Sequence, residues 1–126
     1  MTKEFNSLEE LKPYYDEKTN TYNFKEEYNL LHIKLNFDLC VGANITARNI
    51  DARGINAMDI TAWNINAMDI NACNIIAWNI TACDIDFYAV CVAYGNIECN
   101  FIKGRKANHI MKALDGEIII KGEGKC

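Results

Sequence analysis

A chain of 126 residues can bury one hydrophobic core but not two independent ones, so a single domain spanning 1–126 is expected. Half of its residues are apolar, 24% are charged and the formal net charge is -4, an ordinary balance for a soluble globular protein. No stretch approaches the roughly 18 consecutive apolar residues that a membrane span requires, and residues 1–11 show no apolar segment behind a basic start. No membrane association is therefore expected, and the cytoplasm is the expected location.

Residues 1–42 read as an N-terminal cap with a lead-in strand. Ser7 and Glu10 have the spacing of a capping box for a short helix that Pro13 would stop, and Tyr14 to Tyr28 read as an irregular polar and aromatic cover. Leu31, Ile33, Leu35, Phe37, Leu39 and Val41 then alternate with polar or small residues, the pattern of a half-buried strand.

A five-residue period dominates residues 43–102. Isoleucine recurs at 45, 50, 55, 60, 65, 70, 75, 80 and 85, with Val90 extending the series; alanine follows two places later at 47, 52, 57, 62, 67, 72, 77 and 82, until Phe87. Asn or Asp precedes each isoleucine except at Gly54, so the unit is x-[Asn/Asp]-Ile-x-Ala. In a helix a five-residue step advances about 500° and scatters the isoleucines around the cylinder. In one straight strand the odd spacing sends successive isoleucines to opposite faces. The chain must therefore bend every five residues, with Ile and Ala of each short strand pointing inward and Asn or Asp near the bend. Coiling such units stacks like on like about 4.8 Å apart around a dry interior.

These residues resemble the pentapeptide-repeat family, and the resemblance covers about residues 43–90. It implies a mainly all-β fold, a short right-handed parallel β-helix of quadrilateral section. The position two before each isoleucine, small in that family, here holds Arg48, Arg53, Met58, Trp63, Met68, Cys73, Trp78, Cys83 and Tyr88. The number of sides can be sought in vertical matches. A lag of fifteen pairs Trp63 with Trp78, Asn64 with Asn79 and Asp69 with Asp84. A lag of twenty keeps aspartates of the repeat from stacking on one another, as like-charge avoidance favours. The charge argument and the family geometry favour four sides and about two and a half coils.

After a slip at 93–95, Ile97 and Ile102 suggest one more imperfect side. Residues 103–126 read as a C-terminal β-hairpin turning at Asp115-Gly116 in a type I′ turn. The six cysteines form no CxxC pair and no histidine stands at metal-ligand spacing from them, so reduced thiols and no metal or other cofactor are expected.

No catalytic constellation is legible: His32 and His109 flank the repeat, Ser7 is the only serine, and no phosphate-binding glycine loop is present. A non-enzymatic macromolecule-binding protein is the expected function, with a protein partner, a homo-oligomeric and preferably dimeric state, and no direct nucleic-acid binding. Met58, Trp63, Met68 and Trp78 are too large for a narrow interior and form the candidate interface. Asp59, Asp69, Asp84, Asp86 and Glu98 lie in a segment without lysine or arginine and form a candidate acidic face. The family resemblance implies that such a face imitates DNA, as in an inhibitor of a DNA-acting or defence enzyme of phage type. Two other functions remain open: a structural, self-assembling module, and a small-ligand sponge between subunits using Arg48, Arg105 and Lys106 for an anionic group.

Overall fold

Alternating inward Ile and Ala with a bend after each pair produces a stacked coil, and that is what the chain builds. A computed structural model describes residues 2–24 and 32–122 and shows a parallel β-solenoid of about five turns. The isoleucines from Ile45 to Ile85 and the alanines from Ala47 to Ala77 are buried in one continuous core.

The coil has three sides. Ile50 stands beneath Ile65, which stands beneath Ile80; Ile55 beneath Ile70 beneath Ile85; Ile45 beneath Ile60 beneath Ile75, each a step of fifteen residues. The four-sided section and the count of two and a half coils are thereby corrected. Side-chain pairing outweighs like-charge avoidance: fifteen-residue stacking sets Asn64 over Asn49 and Asn79 over Asn64, with amide hydrogen bonds of 2.7 and 3.0 Å. Its cost is Asp84 placed over Asp69, and water moderates that repulsion because both residues are exposed. A triangular section is narrow where two sides converge, and alanine just before each corner meets that demand.

The solenoid also extends beyond 43–102 at both ends. Thr2–Phe5 stacks in parallel on His32–Leu35, which stacks on residues 49–52, while Thr21–Asn23 lies beside Asn44–Thr46. The alternating lead-in is thus bent into two sides, His32–Leu35 and Leu39–Cys40, burying Ile33, Leu35 and Leu39; Leu31 lies outside the described residues. The N-terminal end is closed by a 3-10 helix, Leu8–Tyr14, whose buried Leu11 joins Phe5, Phe24 and Tyr14. Ser7 is its N-cap but makes no side-chain capping bond, and the Glu10 carboxylate accepts the Asn6 N–H at 3.1 Å in place of a reciprocal box. Pro13 sits in the last turn of this helix, which ends one residue later at Tyr14. The cover beyond it is ordered as a small antiparallel pair, Tyr15–Asp16 with Thr21–Asn23, and residues 25–28 lie outside the described residues.

The C-terminal hairpin is also corrected. Phe101–Gly104 and Ile110–Ala113 stack in parallel on residues of Asp84–Ala93, and Ile118–Ile120 stacks on Ile97–Cys99. Gly116 lacks the positive φ that a type I′ turn needs. Parallel stacking keeps Met111, Ala113 and Ile118 above Cys91, Ala93 and Ile97, where they cover the core. A register shift between Phe87 and Val90 puts Cys91, not Val90, above Ile75 in the inward column.

Cys40, Cys73, Cys91 and Cys99 are free thiols. Cys83 is disulfide-bonded, which corrects the expectation of reduced thiols throughout; its partner lies outside the described residues. No helix among the described residues is long and apolar enough to cross a membrane.

Candidate functional site

The residue two before each isoleucine occupies a corner, where the backbone turns and the side chain points away from the axis. Three corners run the length of the solenoid, and the fifteen-residue step decides which side chains share one. Trp63 and Trp78 share a corner with Arg48. The Trp63 N–H donates to the Arg48 carbonyl and the Trp78 N–H to the Trp63 carbonyl, both at 2.7 Å. The two indoles stack with centroids 5.5 Å apart and planes 14° from parallel, and the Arg48 guanidinium lies 5.7 Å from the Trp63 ring centre. The Asn49, Asn64 and Asn79 ladder fixes the same corner from the neighbouring position.

One coil above, the corner is occupied by Gly95, whose N–H donates to the Trp78 carbonyl at 2.7 Å. Above that comes Gly116, whose added Cβ would lie 2.6 Å from the Gly95 carbonyl carbon, so only glycine fits. The Asn79 side chain accepts the Asn96 N–H at 3.0 Å, and Asn96 in turn accepts the Glu117 N–H at 2.9 Å. The column therefore reads arginine, tryptophan, tryptophan, glycine, glycine. It ends in an indole with no side chain of the corner column above it. Trp63 is 39% exposed and Trp78 54%.

The four residues expected to form one interface do not. Met58 lies at the second corner, one step below Cys73 and near the Asn20 amide; Met68 lies at the third, one step below Cys83. Both are exposed, but neither joins the tryptophans by the solenoid's geometry.

The acidic set is likewise divided. Asp59 accepts a hydrogen bond from the Asn74 amide at 2.8 Å on the side carrying Ile60. Asp69, Asp84 and Asp86 lie on the side carrying Ile70 and Ile85. Glu98 lies on the remaining side, paired with Lys121. Burial, then the facing Asp84, raises the Asp69 carboxyl above its ordinary range.

The three bases do not converge either. Arg105 pairs with Asp86 (Nε to Oδ1, 3.2 Å) and donates to the Ala72 carbonyl, and the Lys106 N–H donates to the Tyr88 carbonyl. Arg48 stands at the tryptophan corner. A trough of about 760 Å³ along the side carrying Ile65 is lined by Lys34, Asp51, Asn66, Thr81, Glu98 and Lys121. This mixed polar lining brings no histidine or serine together with a base. Among the described residues, no group of three or more His, Cys, Asp or Glu could hold a metal ion.

Sequence reasoning placed Arg48 in an anion site and missed it as the foot of an aromatic stack; it also missed the two glycines that leave the stack open. The signal was the fifteen-residue identity of Trp63 with Trp78 and Asn64 with Asn79. No protein-family model, curated protein or solved structure matches this chain.

Proposed function

We propose that this chain is a non-enzymatic binding protein whose rigid solenoid presents the Arg48, Trp63 and Trp78 corner to a protein partner. The observation that carries this reading is that two large aromatic rings stand outside a well-filled core, each fixed by a backbone bond and by its neighbour. Aromatic anchors dominate interface energetics, and side chains already ordered before binding lose less entropy on docking. The five acids are divided over three sides, which favours the aromatic corner over an imitation of duplex DNA as the partner surface.

The test compares affinity capture from an extract of the source cells by the wild-type chain and by a Trp63→Ser/Trp78→Ser variant with an unchanged far-UV spectrum. A captured protein that binds the purified wild type and loses at least about tenfold in affinity for the variant supports the reading, in keeping with the cost of removing interface anchors. Equal binding by both overturns it.

A second reading, self-association, is favoured by the last coil. Phe101, Leu114 and Ile120 are 59, 54 and 53% exposed there, and among the described residues Phe101–Gly104, Ile110–Ala113 and Ile118–Ile120 each pair on one edge. Light scattering of the wild type and of an Ile120→Lys variant tests it: a dimer that the substitution dissociates supports it, and a monomer at high concentration removes it.

A further inference from the structure

The corner stack has a repeating logic that stops one step short. Arg48 covers the lower face of the pair formed by Trp63 and Trp78. The next two corner positions, Gly95 and Gly116, carry no side chain. Coils stack about 4.8 Å apart, so a flat group lying parallel to the indole one level above Trp78 would sit at the height of Gly95. Close backbone stacking at Gly116 excludes even a methyl group, so position 116 cannot send a side chain into that level.

Charge selects the kind of flat group. Gly116 is flanked by Asp115 and Glu117, both exposed and neither in an ion pair among the described residues. They stand about two coil steps, roughly 10 Å, above the Trp78 level. A cation on the indole would thus lie between a π face and two carboxylates. A nucleobase would also stack on an indole, but the phosphates attached to it would meet these carboxylates and a net charge of -4.

We propose that the open face of Trp78, over Gly95 and beneath Asp115 and Glu117, is a slot for an arginine side chain of a protein partner. This rests on the reading of the tryptophan corner as a binding surface and names the chemistry that surface takes. Arginine is preferred over lysine because a planar guanidinium lies flat on an aromatic face while an ammonium does not. Arg48 already makes that contact with Trp63.

The test uses the full chain, which contains only two tryptophans, and follows their indole N–H resonances. The probes are a blocked tetra-arginine peptide, its tetra-lysine counterpart and a short single-stranded oligothymidine. The expected result is a saturable shift of the Trp78 resonance with tetra-arginine at an affinity about fivefold or more above tetra-lysine, the scale of one cation–π contact. Asp115→Asn with Glu117→Gln, two exposed changes that leave the core untouched, should weaken that affinity severalfold. Equal response to both peptides would reduce the effect to net charge and overturn the proposal, as would a Trp78 resonance that does not move or tighter binding of the oligothymidine. Should the peptides fail while a protein partner still depends on Trp63 and Trp78, only the arginine slot falls. Loss of that dependence removes the binding surface itself.

Discussion

Asp84 sits directly above Asp69, the two being partners in parallel pairing on one side of the solenoid. Elsewhere the same external position holds an amide in the upper coil: Asn74 donates to Asp59 at 2.8 Å and Asn79 to Asn64 at 3.0 Å. Two carboxylates cannot make that bond unless one holds a proton.

Replacing Asp84 with Asn should therefore stabilise the fold at neutral pH by supplying an amide donor to Asp69. In the wild type, the raised Asp69 pKa means that the folded state holds this proton more tightly than the unfolded state. Its contribution is therefore favourable at low pH and is lost as pH rises from the ordinary value of 3.8 through the higher folded value. Thermal melts of wild type and Asp84→Asn should diverge as pH rises through that window, modestly because both residues are exposed. Curves that stay parallel from acid to neutral pH would show that the pair does not couple to folding.

Trp63 touches a partner on each face and Trp78 on one. An aromatic pair contributes about 0.5–1.5 kcal/mol beyond area burial, and an exposed cation–π contact about 0.5–1 kcal/mol. Urea denaturation should show Trp63→Ala to be more destabilising than Trp78→Ala by about 0.5–1 kcal/mol. Equal losses would mean that the Arg48 contact contributes nothing.

Ile75 is fully buried between Ile60 and Cys91 in one column, while Thr61 faces outward from the same side. Ile75→Ala should cost about 2–5 kcal/mol in urea denaturation, whereas Thr61→Ala should stay within about 0.5 kcal/mol. Similar values for the two would contradict an inward isoleucine column.

Burial, then the neighbouring Cys99, pushes the Cys91 thiol up to about 12, and burial also raises Cys99. Only the thiolate attacks an alkylating agent. Iodoacetamide followed by mass spectrometry at pH 8 should mark exposed Cys40 early and Cys91 only when the chain opens in denaturant. Early modification of Cys91 in the folded protein would contradict its placement in the core.

The bends, the inward Ile and Ala columns and the outward tryptophans were legible because five-residue spacing leaves the backbone few alternatives. The side count was legible too, in the match of Trp63 with Trp78, but Asp69 and Asp84 weighed against it. At an exposed position that repulsion is weaker than the amide hydrogen bonds and indole stacking that the rest of the register makes. Residues 103–120 were misread because Asp-Gly between apolar runs fits both a hairpin and a solenoid corner; only the waiting edge of Ile97–Cys99 decides between them. The slot above Trp78 was hidden because Gly95 and Gly116 are twenty-one residues apart and outside the repeat's spacing.

Within the regular repeat the unit of sequence is five residues, yet the unit of stacking is fifteen. Removing residues 64–78 would shorten the rod by a coil and bring Asn79 and Ile80 down onto Asn49 and Ile50, with inside and outside preserved. Removing only five would also preserve inside and outside, since each unit is alike toward the axis, but would turn everything downstream by one side and carry Trp78 away from Trp63. The core of the regular repeat should thus tolerate a rotation that its exterior does not. A chain lengthened or shortened by such units should keep its inward columns through either change but its surface through only one.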